Sequence, residues 1–201
     1  VPRLGGCTYR IMPDRIAAGT LLVAAAITGG RITLENAVPE HMAGTLAKLG
    51  ECGCTLDARG RTIRLTGPAR PKELRRVETL PHPGFPTDMQ AQMFALCSVA
   101  EGTSVIVENV FENRFKHAQE LSRMGAVSAI RNRTAVIRGV PKLVGATVTA
   151  HDLRGGAALV LAGLRAEGIT TVLHAERIDR GYERLERTLS ALGAHVWRAS
   201  D

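Results

Sequence analysis

The sequence predicts an α/β fold: an inside-out α/β barrel of three β-α-β-α-β-β repeats, with apolar helices inside and sheets outside. Three observations predict it. One plan recurs three times along the chain, at about residues 9–67, 76–140 and 143–201. Each copy holds a helix that is apolar nearly all round, which suits a central place, and a second helix that is apolar along one stripe only. Glycines and β-branched runs punctuate the copies at matching points.

In the first copy, Tyr9 to Met12 reads as a strand. Asp14 starts a helix that runs through Ile27, Gly30 ends it, and Arg31 to Asn36 follows as a strand. In the second copy these parts are Val77 to Leu80, the helix from Asp88 to Ala100, Gly102, and Ser104 to Asn109. In the third they are Val144 to Ala150, the helix from Asp152 to Leu164, Gly168, and Thr170 to His174. An aspartate suits a helix start, and a glycine suits the left-handed position past its end. The second helices end at Leu49-Gly50, Met124-Gly125 and Leu192-Gly193. Two short strands then close the first copy, Cys54 to Asp57 and Thr62 to Leu65, and the second, Val127 to Ile130 and Ala135 to Arg138. The third copy offers only Ala194 to Arg198, so its last strand is missing. An open sheet edge of that kind invites pairing into a dimer. Proline-bearing stretches, Gly67 to Arg76 and Gly139 to Leu143, connect the copies.

Composition narrows the function. Apolar residues are 45% of 201, enough for one good-sized core or two small ones. Lys and Arg exceed Asp and Glu by 26 − 19 = 7, which favours anionic partners. These cations form no dense run, and aromatics are 3%, so neither charge nor base stacking argues for nucleic acid. The longest apolar run, Leu21 to Ile27, is too short for a membrane span. Cys7, Cys52, Cys54 and Cys97 read as thiols of a reducing cytosol. Cys52-Gly-Cys54 lacks zinc spacing, so no metal is expected, and Cys97 reads as a core residue.

Arginine stands where helix starts disfavour it. A cation there costs ~0.3–1 kcal/mol, yet Arg15 and Arg154 fall in first turns, and Arg114 and Arg180 at the start of second helices. Repeat symmetry brings such ends to one side of the molecule, where they make a pocket for phosphate or carboxylate. Salt bridges to Asp14, Asp152 or Asp179 are the plainer use of these arginines. Asp88 follows Thr87, a good N-cap, after the loop Pro81 to Pro86. Aspartate fills the same slot at Asp14 and Asp152, so symmetry gives Asp88 a capping role and no special one.

Four motifs add a resemblance. Phe85-Pro-Thr-Asp-Met-Gln-Ala-Gln92, Glu112-Asn-Arg-Phe115, Asp152-Leu-Arg154 and Ile178-Asp-Arg-Gly-Tyr-Glu-Arg-Leu185 closely resemble the UDP-N-acetylglucosamine enolpyruvyl transferases, and Tyr9 to Arg15 agrees. The resemblance runs from about residue 9 to 198. It implies a two-domain protein of six such units, with the active site in the cleft between domains. It implies transfer of enolpyruvyl from phosphoenolpyruvate to the 3′-hydroxyl of UDP-N-acetylglucosamine with release of phosphate. That is the first committed step of peptidoglycan synthesis, in the cytoplasm, and it needs no metal or organic cofactor. By this resemblance Asp88 contacts the sugar hydroxyl and takes its proton. Val110 contacts the nucleotide sugar through its backbone. Arg15, Arg114, Arg154 and Arg180 line the cleft, Arg180 near phosphoenolpyruvate, with Asp152 at the same rim.

Arg177 departs from the family, which often has histidine there. The resemblance further implies that residues 1–8 are a linker from an absent N-terminal domain, and that this domain carries the reactive cysteine and a lysine-asparagine pair. None of the four cysteines lies in that motif. An absent N-terminal segment would fill the third unit's sheet. The expectation is therefore a substrate-binding half-enzyme, inactive alone. The alternatives are a basic module that binds RNA or protein, or another enzyme of the fold such as enolpyruvylshikimate phosphate synthase.

Overall fold

A computed structural model describes residues 3–199; Val1, Pro2, Ser200 and Asp201, at the ends of the expected linker and third repeat, lie outside it. Asp14 opens α1 (Arg15–Thr28) as expected, its Oδ1 accepting the N–H of Ile16 at 2.7 Å and of Ala17 at 3.2 Å. Those donors have no partner within the helix. The helix closes on Gly29, one residue before the expected Gly30, at φ 69°. A side chain there would cost ~1–2 kcal/mol. Then come β1 (Arg31–Leu34), a 3₁₀ turn at Pro39–Met42, α2 (Ala43–Glu51), β2 (Thr55–Arg59) and β3 (Thr62–Thr66). The three strands form an antiparallel sheet in the order β1-β3-β2. Ile63 and Leu65 of β3 turn alternately into the core.

The second unit has β4 (Val77–Glu78), a 3₁₀ turn at Thr87–Met89, α3 (Gln90–Val99), β5 (Thr103–Val107), α4 (Lys116–Arg123), β6 (Val127–Arg131) and β7 (Thr134–Arg138). Its sheet runs β4-β5-β7-β6, with β4 parallel to β5 and the other pairs antiparallel. The third has β8 (Thr147–Thr149), α5 (Leu153–Arg165), β9 (Thr171–Leu173), a 3₁₀ turn at Ala175–Arg177 and α6 (Leu185–Ala191). Here β8 and β9 pair in parallel as a two-stranded sheet.

The helices α1, α3 and α5 pack on one another in pairs. Every residue of α3 is buried, as a helix with no charge from Gln90 to Val99 allows. A buried polar knot joins the three units at this centre. The Tyr182 hydroxyl lies 2.9 Å from Thr20 Oγ1, and Gln92 Nε2 donates to both, at 3.1 Å and 3.0 Å.

Several sequence expectations are corrected. Tyr9 to Met12 and Ala194 to Arg198 are not strands, because no neighbouring strand offers them a ladder. The strands expected at Val77 to Leu80 and Val144 to Ala150 shrink to β4 and β8. The first and third units therefore fall short of the full six-element repeat. α2 runs past Leu49-Gly50 to Glu51, and Gly53, at φ 92°, takes the left-handed position instead. The three sheets share no strand pair, so among the described residues the fold is mixed α/β without a closed barrel. No helix among them is long and apolar enough to cross a membrane.

Candidate functional site

Asp88 sits in the 3₁₀ turn before α3 and does not cap it. Thr87 does not cap it either: its hydroxyl donates to Glu108 Oε2 at 2.8 Å. The Asp88 carboxylate instead holds two arginines, one on each oxygen. Arg114 Nη2 is 2.6 Å from Oδ1, and Arg154 Nη2 is 3.2 Å from Oδ2. The two come from the second and third units, so the contact bridges them. Asp152, by contrast, caps α5 as expected, its Oδ1 accepting the N–H of Arg154 at 3.0 Å and of Gly155 at 2.8 Å.

Each arginine rests on an aromatic ring. The Arg114 guanidinium lies 4.8 Å above the Phe111 ring, and that of Arg154 lies 5.3 Å from the Tyr182 ring. The side chain of Arg154 is 13% exposed and that of Asp88 39% exposed, so the pair opens to solvent on the carboxylate side. Burial weighs against charge on Arg154, but Tyr182 and Asp88 outweigh it and hold its proton more tightly than usual. Arg154 Nη1 is buried without a partner.

The other expected site residues scatter around this centre. Arg15 is the first residue of α1, but its Nη1 meets His82 Nδ1 at 3.3 Å and does not reach Asp88. Arg114 precedes the α4 N-cap, Phe115, and lies outside the helix. Arg180 lies in turns before α6; it is exposed and makes no ion pair among the described residues. Its neighbour Gly181 packs close, since a Cβ there would come within 3.5 Å of Arg154 Nη1. Asp179 pairs with Arg198 at 2.8 Å and not with Arg180. Arg177 folds back, donating to the His151 carbonyl at 2.9 Å. The Val110 N–H is engaged by Glu108 Oε1 at 2.9 Å, which leaves the Val110 carbonyl for any further contact.

The structure shows residues that sequence reasoning missed: Glu108, His117, Tyr182 and Phe111. Phe111 carried a signal as an aromatic beside Glu112-Asn-Arg114, and Tyr182 as a member of the Ile178–Leu185 motif. Of the cysteines, Cys52, Cys54 and Cys97 are buried and Cys7 is exposed. Burial pushes the Cys54 thiol up to about 11 and Cys97 to about 12, and raises Cys52 as well.

A half-exposed carboxylate between two arginines is a place to hold a polar, anionic ligand and to receive a proton. The family model for EPSP synthase (3-phosphoshikimate 1-carboxyvinyltransferase) matches residues 1–189. The chain belongs to this enolpyruvyl transferase family. Within the family it is 57% identical over 190 residues to the UDP-N-acetylglucosamine 1-carboxyvinyltransferase of Myxococcus xanthus, covering 94% of this chain and 45% of that protein. It is 54% identical over 202 residues to the enzyme of the same name from Desulfofundulus thermocisternus, covering 99% and 82%. The solved enolpyruvyl transferase NikO from Streptomyces tendae superposes with a TM-score of 0.82 at 27% identity, over 95% of this chain and 45% of that one. EPSP synthase from Acinetobacter baumannii shares the fold, with a TM-score of 0.76 at 19% identity, over 92% and 47%. The chain thus spans about half the length of most of these relatives, 45% of the Myxococcus protein.

Proposed function

We propose that the chain forms the nucleotide-sugar side of an enolpyruvyl transfer from phosphoenolpyruvate to the 3′-hydroxyl of UDP-N-acetylglucosamine, with release of phosphate. The reading includes the family's inside-out arrangement of three units in one domain and a cytoplasmic role at the first committed step of peptidoglycan synthesis. The observation that carries it is the Asp88 carboxylate, which leaves helix capping to hold Arg114 and Arg154.

In this reading the sugar oxygen bonds to C2 of phosphoenolpyruvate as its proton passes to Asp88 and C3 takes a proton; loss of a C3 proton then restores the double bond as the C2–O bond to phosphate breaks and phosphate departs. Each Asp88 oxygen has a second lone pair free to accept the hydroxyl at about 2.6–3.2 Å. Arg114 and Arg154 fix the carboxylate and offer charge to the diphosphate. Arg180 faces solvent free to meet phosphoenolpyruvate, and Arg15 and Asp152 stand at the rim. The Val110 carbonyl takes a sugar donor. A second domain supplies the reactive cysteine: the thiols of Cys52, Cys54 and Cys97 are buried and held protonated, and the exposed Cys7 lies outside the family's reactive-cysteine motif. The chain alone then releases no phosphate from its substrates.

Titration with UDP-N-acetylglucosamine, followed by backbone amide NMR, tests this. Signals of Asp88, Val110 and Arg114 are expected to shift, and Arg154→Ala to weaken binding about tenfold or more, the scale of a charge-assisted contact. Silence at those amides under saturating nucleotide sugar, or RNA binding with steep salt dependence, would overturn the reading.

A further inference from the structure

Glu108 directly follows β5, and its residue is 1% exposed. Its carboxylate accepts four hydrogen bonds. Oε1 takes Thr79 Oγ1 at 2.8 Å, the Val110 N–H at 2.9 Å and the Phe111 N–H at 3.0 Å, and Oε2 takes Thr87 Oγ1 at 2.8 Å. The Thr79 hydroxyl oxygen in turn accepts the Asn109 N–H at 2.8 Å. A buried anion is unfavourable unless its lone pairs are met, and these donors meet them. No cation pairs with Glu108 among the described residues, so its charge is balanced by dipoles alone.

The donors share a consequence. Thr87 is the residue before Asp88. Phe111 is the ring on which Arg114 rests. Thr79 fixes the end of the second unit's first strand, from which the loop to Thr87 departs. The two members of the Asp88–Arg114 pair are 26 residues apart in sequence, and each is one link from the same carboxylate. We propose that Glu108 is a positioning residue, whose carboxylate locks Thr87 to the Val110–Phe111 backbone so that Asp88 and Arg114 meet before any ligand arrives. The proposal deepens the reading of Asp88 as proton acceptor and rests on it for its catalytic meaning, though the locking itself does not need a substrate.

Glutamate is the side chain that suits this place. Two oxygens must both accept, and one of them must serve three donors. Glutamine keeps the shape but turns one acceptor into a donor. With Nε2 toward Thr87 the hydroxyl rotates to accept, and the grip on Thr87 weakens. With Nε2 toward Val110 and Phe111, donors collide. Glu108→Ala strands four buried donors and risks the fold, so milder changes carry the test. Thr87→Val removes one donor at constant shape, and Thr87→Ser restores it.

The readout is the Arg114 guanidinium, observed by NMR in the protein without ligand. Held by Asp88 through Nη2, its guanidinium N–H groups are expected to exchange slowly with water. Thr87→Val and Glu108→Gln are expected to speed that exchange severalfold while the thermal transition stays cooperative, and Thr87→Ser to return it to the wild-type rate. In the same samples UDP-N-acetylglucosamine affinity is expected to fall about fivefold to tenfold, the scale of one ordinary hydrogen bond. An unchanged Arg114 signal in both Thr87→Val and Glu108→Gln would overturn the proposal and reduce Glu108 to a structural tie. If wild-type protein shows no affinity for the nucleotide sugar while Arg114 is still freed in the variants, the substrate reading falls and the positioning role stands.

Discussion

Asp14, Asp88 and Asp152 hold matching places in the three units, and their side chains part ways. Asp14 and Asp152 cap their helices; Asp88 turns to Arg114 and Arg154. The cause is local. The chain enters α3 through a 3₁₀ turn, so the carboxylate at Asp88 stands ahead of the helix and does not face its free N–H groups. His117 on α4 has a comparable history of displacement from water. Its ring meets Phe94 edge-on at 5.0 Å, and its Nε2 has no partner. Burial pushes its pKa down to about 4, with Asp152 opposing and Arg114 assisting the drop. The sign of the pH effect follows. An unfolded histidine titrates near ~6.5, so above that pH neither state takes the proton and the stability is fully present. Between about 6.5 and 4 the unfolded chain binds a proton that the fold refuses, and stability falls as pH falls, by on the order of 3 kcal/mol in total. Urea unfolding at pH 7.5 and pH 4.5 checks this: His117→Gln is expected to flatten the difference between the two, and an unaltered difference would assign the acid sensitivity to other groups.

At the scale of elements, the joints between helices and sheets are tighter than the strands themselves. Gly67 and Gly139 follow the last strands of the first two units, and each donates its N–H to a glycine carbonyl, Gly30 at 2.8 Å and Gly102 at 3.0 Å. A Cβ on Gly139 would stand 1.9 Å from the Ala100 carbonyl oxygen, and one on Gly67 2.6 Å from that of Ala25. Neither obstacle is a side chain that can swing away. Gly139→Ala is therefore expected to cost more than the ~1–3 kcal/mol of ordinary overpacking, read as a lowered thermal midpoint, whereas Gly60→Ala, where nothing lies within 4 Å, should cost only the ~1–2 kcal/mol of its positive φ. Equal losses at the two sites would show that packing against α3 is not what demands Gly139. These joints were invisible in the sequence, where Gly139 reads as the start of a connector. The hairpins were legible because their causes are local: Gly60 at φ 55° and Asn132 at φ 54° sit between alternating runs. So were the caps of α1 and α5. The Asp88 pairs were legible only as a tendency of arginines to gather, because Arg114 and Arg154 reach it from 26 and 66 residues away. Glu108 gave no signal, since a glutamate at a strand end ordinarily faces water.

The whole molecule is unequal around its three units. β1 and β5 each have an antiparallel partner, β3 and β7, while β9 has only β8 beside it. Its other edge presents backbone donors and acceptors with no ladder among the described residues. An apolar side chain stands on it: Leu173 is 44% exposed. An edge of this kind, without a lysine or proline in Thr171–Leu173 to blunt it, is a template for another strand. In solution of the protein alone the nearest candidate is the same edge of a second copy, which a two-fold axis would pair antiparallel. The net charge of +7 opposes that meeting at low salt, so screening should favour it, since charges beyond about 10 Å cease to repel at 0.1 M ionic strength. Sedimentation velocity is expected to show reversible self-association that grows with concentration and with salt, and Leu173→Lys to abolish it without lowering the thermal midpoint. A protein that stays monomeric at high concentration in high salt would mean that the β9 edge is already covered, and the inequality among the three units would then lie in the pairing partner and not in the exposure of the edge.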